Sequence, residues 1–172
     1  PAPNLDDALR DEIINAALRL AKDANYLNLG TFEFLVDASN TPSQPFVFIE
    51  ANARLQVEHT VTEEVMGVDL VQLQLRLAGD EAMSDLAVTA QKPNGYAIQA
   101  RVNMETILPD GSVKPGGGQI AAYEAPGGPG VRVDGFGYAG YRTSTAFDSL
   151  LAKVICHSPS ADFSLAIAKT NR

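Results

Sequence analysis

Three observations in the sequence predict an α+β fold built in two parts. Apolar residues recur at helical spacing over 6–25 and again over 70–77. Between those stretches, two short apolar runs flank a polar loop, the pattern of a β-hairpin. From about residue 86 the texture changes. Short apolar runs are punctuated by Asn94-Gly95, Asp110-Gly111, Gly116 to Gly118, Gly127-Gly128 and Asp134-Gly135. Turn signals that close together mark a mostly antiparallel sheet. The expected division is therefore 1–86 and 87–172, within a boundary zone of residues 80–95. A chain of 172 residues accommodates one domain or two small ones.

The elements follow in order. Leu9, Ile13, Ala16, Leu20 and Ala24 line one face of a helix over 6–25, and Asn25 to Gly30 end it. Thr31 to Val36 reads as a strand, with Phe32, Phe34 and Val36 on one face and Thr31, Glu33 and Leu35 on the other. A loop with two prolines, Asp37 to Pro45, leads to a return strand, Phe46 to Glu50. Thr60-Val-Thr-Glu63 has the form of a capping box, so a helix is expected to begin there and to break at Gly67. Asp69-x-x-Gln72 offers a second start, with a stripe of Leu70, Leu73 and Leu77 joined by Val71 and Leu75, and Gly79 as its stop. Phe147 to Cys156 and Asp162 to Lys169 return to mixed strand and helix.

Composition excludes several functions. The formal net charge is −8 and no basic run occurs, which argues against binding to nucleic acid or to an anionic membrane. No apolar stretch is long enough to span a bilayer. The single cysteine, Cys156, rules out an internal disulfide and fits a reducing compartment, so a cytoplasmic location is expected. It lies in the apolar run Leu150 to Cys156, where a buried structural thiol is expected. The sequence begins at Pro1 without Met and stops at Arg172 inside an apparent helix, so a piece of a longer protein is expected.

The densest chemistry lies in Phe48-Ile-Glu50-Ala-Asn52-Ala-Arg54-Leu-Gln56-Val57-Glu58-His59. In a symmetric hairpin Glu33 and Glu50 sit nearly opposite and share a face. Two carboxylates that close repel unless something compensates. A divalent cation bridging to phosphate oxygens does so, with Asn52 on the same face. The alternative is a pair of solvated strand-end glutamates. Arg54 presents a planar fork for an oxyanion, and Glu58 beside it has the chemistry of a general base. The alternative there is an Arg–Glu ion pair on a loop. His59 either orients Glu58 or caps the next helix, and no histidine has zinc-site spacing. Gly135-x-Gly137-x-x-Gly140 matches a dinucleotide fingerprint but opens no amphipathic helix, so it reads as a turn. Arg101 shares the polar face of a strand with Gln99 and reads, taken alone, as a solvated arginine.

Together these residues resemble the biotin carboxylase component of biotin-dependent carboxylases, a branch of the ATP-grasp superfamily. The resemblance runs through Thr31-Phe-Glu-Phe, Phe48 to His59, Thr62-Glu, Gly67-Val-Asp-Leu and Gly95 to Asn103. It continues through Ala125 to Arg132, Tyr138-Ala-Gly-Tyr and Phe147 to Lys153. The E-x-N-x-R-x-Q-V-E-H run is its most specific part. Arg101 to Thr106, Asp110 to Pro115 and Gly140 to Ser144 look closer to single-chain acyl-CoA carboxylases than to stand-alone subunits.

The resemblance implies the second half of an ATP-grasp domain over 1–86, followed by a mostly antiparallel biotin carboxylase C-terminal domain over 87–172. It implies that Glu33 and Glu50, with Asn52, hold Mg²⁺ or Mn²⁺ against the phosphates of ATP. Arg54, Gln56 and the backbone of Val57 would bind bicarbonate. Glu58 would take the bicarbonate proton, and carboxyphosphate would form. Arg101 would stabilise negative charge on carboxyphosphate or on the biotin enolate. Biotin would arrive on a carrier domain, and a carboxyltransferase domain or subunit would use the product. The N-terminal half of the biotin carboxylase would complete the nucleotide site, so the 172 residues alone are expected to be inactive. Gln99 stands where the family commonly has an acidic residue, which leaves Arg101 with less compensating charge. Two rival expectations remain: another ATP-grasp ligase, and a non-catalytic assembly module that forms homo-oligomer contacts.

Overall fold

The computed structural model describes residues 2–39, 45–86, 88 and 92–172. The chain divides into two compact units, Pro1–Lys92 and Pro93–Arg172. The boundary expected at 86/87 adjoins residues 87 and 89–91, which lie outside the described residues, as does most of the loop expected over 37–45.

The first unit opens with helix α1, Asp7–Asp23. Asp6 caps it, its carboxylate accepting the N–H groups of Ala8 and Leu9 at 2.9 and 3.2 Å. Such a cap satisfies donors that have no partner within the helix. The helix ends where Asn25 enters the left-handed region at φ 48°. Strands β1 (Thr31–Val36) and β2 (Phe46–Asn52) form the antiparallel hairpin. Its register is not the symmetric one. Glu33 faces Glu50, but Phe34 faces Phe48, so Ile49 is left over as a bulge. The extra residue reverses the alternation of β2. Phe46 and Phe48 pack edge-on against Phe34, with ring centres 5.8 and 5.7 Å away, while Glu50 turns to the Glu33 face.

Helix α2 runs His59–Met66, not from a Thr60 cap. Thr60 is the second helical residue and so does not take the N-cap place that the capping box expects. Glu58 holds the N-cap position without a side-chain cap, and Thr60 is fully buried inside the helix. Glu63 reaches forward instead and accepts the N–H of Leu70 at 2.8 Å. Gly67 at φ 64° ends the helix, a conformation costly to any residue with a Cβ. Helix α3, Leu70–Ala78, starts at Asp69, whose carboxylate accepts the Gln72 N–H at 2.7 Å. Gly79 caps its end. Of its apolar stripe Leu73 is buried, while Val71 and Leu75 are exposed. A 3-10 turn, Met83–Asp85, leads to buried Leu86.

The second unit contains β3 (Tyr96–Asn103), β4 (Glu105–Ile107), β5 (Val113–Pro115), β6 (Val131–Gly135), β7 (Leu150–Ser158) and helix α4 (Phe163–Thr170). Strands β3, β7 and β6 form an antiparallel sheet in that order, and β4 pairs with β5 across the Asp110-Gly111 turn. Cross-strand partners share a face, so Tyr96, Ile98, Ala100, Cys156 and Val154 lie on one side. Helix α4 covers that side through Phe163, whose ring meets Tyr96 at 5.3 Å, and through fully buried Ala166. Gly95, at φ 69°, lets the chain pass the Ser158 carbonyl, which a Cβ would strike. Cys156 is buried and free. Gly135 ends β6, and Phe136 and Tyr138 pack on Tyr141, so the G-x-G-x-x-G stretch is a turn between strands. No helix among the described residues is long and apolar enough to cross a membrane.

Candidate functional site

The bulged hairpin places Glu33 and Glu50 directly opposite each other. Asn52, two residues beyond Glu50, spans the pair. Its amide nitrogen donates to Glu33 Oε1 at 3.3 Å and to Glu50 Oε1 at 2.8 Å. Gln56 donates to the same Glu33 oxygen at 3.0 Å. Two amide donors thus offset part of the carboxylate repulsion. A pair of hard oxygen donors opposite each other suits a divalent cation.

The loop that follows carries Arg54 and Glu58, both exposed. Arg54 donates to its neighbour's carbonyl, Leu55 O, at 3.3 Å. Among the described residues no ion pair joins Arg54 to Glu58, so the bland sequence alternative is not realised. Leu55 N–H donates to Gln74 Oε1 of α3 at 3.2 Å. The Gln56 carbonyl accepts from His59 Nδ1 at 2.8 Å. His59 therefore touches the loop backbone rather than Glu58. Gln74 and this His59 contact were not legible in the sequence, because nothing in a helix stripe tells which distant peptide group a polar side chain will meet.

In the second unit Arg101 of β3 faces Lys153 of β7, and Lys153 faces Asp134 of β6 on the same side of the sheet. Lys153 Nζ lies 3.8 Å from Asp134, which also takes Arg132 at 2.8 Å. Arg101 has its own counter-charge. Asp148 lies 3.7 Å from the guanidinium, so the glutamine at position 99 does not leave Arg101 uncompensated. No local pattern points to this partner, which is 47 positions further along the chain. Asp148 also lines a cavity of about 280 Å³ with Met104, Glu105, Pro115, Phe147 and Ser149.

Residues 1–86 match the family described as carbamoyl-phosphate synthase L chain, ATP binding domain, and residues 99–172 match the biotin carboxylase C-terminal domain. An ATP-grasp half followed by this C-terminal domain defines one class of protein. The chain belongs to the biotin carboxylase family. It is 42% identical over 172 residues to the biotin carboxylase of Nostoc sp. (strain PCC 7120), covering 100% of this chain and 36% of that protein. Among solved structures, a single-chain, multi-domain long-chain acyl-CoA carboxylase superposes with a TM-score of 0.93 at 41% identity, over 99% of this chain and 18% of that one. The biotin carboxylase domain of Hydrogenobacter thermophilus 2-oxoglutarate carboxylase, solved with MgADP and bicarbonate, gives a TM-score of 0.86 at 35% identity, over 99% and 36%. The chain spans 13% to 36% of the length of the curated relatives it matches.

Proposed function

We propose that this chain supplies the metal- and bicarbonate-handling residues of a biotin carboxylase, which carboxylates carrier-bound biotin at the expense of ATP. The observation that carries the reading is the Glu33–Glu50 pair with Asn52 across it, followed within six residues by Arg54, Gln56 and Glu58. Among the described residues no group of three or more His, Cys, Asp or Glu is placed to hold a metal. The opposed Glu33 and Glu50 suit a cation that arrives with a nucleotide, since Mg²⁺ takes one or two carboxylates and completes its shell with phosphate and water. Bound there, Mg²⁺ or Mn²⁺ would neutralise phosphate charge. The likeness to a biotin carboxylase domain solved with MgADP and bicarbonate supports the same assignment.

Arg54, the Gln56 amide and the Val57 N–H bind bicarbonate. Glu58 accepts its hydroxyl proton, and the freed oxygen attacks the γ-phosphorus of ATP as ADP leaves. The product, carboxyphosphate, releases CO₂ and phosphate. The released phosphate then takes the N1′ proton of biotin, and the biotin enolate takes up CO₂, with Arg101 holding negative charge on carboxyphosphate or on that enolate. A fixed guanidinium aimed at developing charge contributes on the order of 3 kcal/mol, as oxyanion-hole donors do. A carrier and a carboxyltransferase, on this protein or another, complete the cycle. The 172 residues alone carry out no turnover, because they span only 36% of the Nostoc enzyme.

The test is ATP hydrolysis by the protein that carries this chain. Hydrolysis should require bicarbonate, rise with free biotin, and fall by about 10²-fold or more in Glu58→Gln, the usual weight of a general base. Hydrolysis indifferent to biotin would identify another ATP-grasp ligase. Self-association that persists without nucleotide binding, and is unchanged by Arg54→Ala and Glu58→Ala, would identify an assembly module.

A further inference from the structure

His59 is not among the residues that meet a substrate in the reading above, yet it holds the loop that does. Its Nδ1 lies 2.8 Å from the Gln56 carbonyl, which also accepts the His59 backbone N–H at 3.3 Å. A carbonyl only accepts, so Nδ1 carries the proton. On the far side of the ring Nε2 stands 3.8 Å from Glu63 Oε2, and the other Glu63 oxygen accepts the Leu70 N–H of α3. The two side chains are 14% and 6% exposed. The ring sits between Glu63 and the loop and directs one donor onto one carbonyl.

That carbonyl belongs to the same peptide unit as the Val57 N–H. A trans peptide is planar, with its C=O and N–H pointing in opposite directions. Fixing the Gln56 carbonyl toward the ring fixes the Val57 N–H away from it. The geometry points to His59, backed by Glu63, as a positioning residue for bicarbonate: its ring sets the direction of the Val57 N–H. The inference rests on the assignment of that N–H to the anion. It also explains why a histidine follows Glu58 directly. At the first position of α2 its side chain can reach back to the carbonyl three residues earlier.

The test is steady-state bicarbonate-dependent ATP hydrolysis by the protein carrying this chain. In His59→Leu the KM for bicarbonate should rise about tenfold, the upper end for one lost hydrogen bond. The KM for MgATP should stay at its wild-type value. His59→Asn, whose amide donor falls near the place of Nδ1, should recover most of the loss. His59→Gln, whose donor falls near Nε2 instead, should not. A folded His59→Leu with wild-type bicarbonate KM overturns the inference, as does an equal rise in both KM values. If His59→Leu does not fold, His59→Gln decides alone, and a wild-type bicarbonate KM in that variant overturns it. Wild-type protein with no bicarbonate-dependent hydrolysis removes the underlying functional reading as well, so the two failures are distinguishable.

Discussion

Glu33 and Glu50 work against the hairpin that carries them. Like charges directly across a strand pair destabilise it, and the two amide donors offset only part of that cost. Glu50→Gln should therefore raise the stability of the metal-free protein by about 0.5 kcal/mol, the scale of one cross-strand charge pair. The same change should weaken MgADP binding at least about tenfold, as loss of a metal-supporting group does. Thermal melts without metal and calorimetric titration with MgADP read the two effects separately. A variant that is less stable and binds as well as wild type would remove the metal assignment. Ile155 makes the opposite case. It is fully buried in the sheet of the second unit, so Ile155→Ala should cost about 3 kcal/mol of unfolding free energy in urea.

At the scale of elements, the helix boundaries are set by single residues whose work is separable. Gly67 stands at φ 64° with nothing within 4 Å of where a Cβ would lie. Its replacement by Ala costs conformational strain and no clash, about 1 kcal/mol. Asp69→Ala removes the acceptor for the Gln72 N–H and should cost a similar amount, about 1 kcal/mol. Both should appear in equilibrium unfolding, and Asp69→Asn should behave as wild type. Asp69 was legible in the sequence because a carboxylate before an apolar stripe has one common use. Thr60-x-x-Glu63 followed an equally good local rule, and it located the helix while missing its cap, which falls at Glu58. Tertiary packing buried Thr60 and recruited Glu63 to the next helix, an interaction that no i, i+3 pattern encodes. The Ile49 bulge belongs to the same class. Local alternation cannot say which residue of a strand a partner will skip.

At the scale of the whole molecule, acid should destabilise both units for one electrostatic reason. The Arg76 guanidinium, through its hydrogen bond, holds Glu81 below the usual carboxylate range. The Ser112 and Ser164 side chains do the same for Asp110 and Asp162. A carboxyl whose folded pKa is depressed contributes stability above its unfolded value and loses it as pH falls through the folded one. Stability should therefore hold near neutral pH and decline from about pH 4.5 downward, where free carboxylates begin to titrate. Urea midpoints between pH 7 and pH 3 check the sign. Arg76→Met should lose less on acidification than wild type, because Glu81 is then already near its ordinary value.

Helix α1, the two hairpin strands, the start and stop of α3 and the run from Glu50 to His59 were legible from residue order alone. These depend on periodicity, turn chemistry and neighbours close along the chain. Local rules read them because the forces that set them act over a few residues. Which distant groups meet those residues was set by packing. Gln74 and Leu55 are 19 positions apart, and Gln56 and Glu33 are 23. Asp148 reaches Arg101 across the fold, and Glu63 leaves its own helix for α3. Such contacts are chosen by how whole elements pack to bury apolar surface, and a polar side chain then takes the nearest unsatisfied partner that packing leaves within reach.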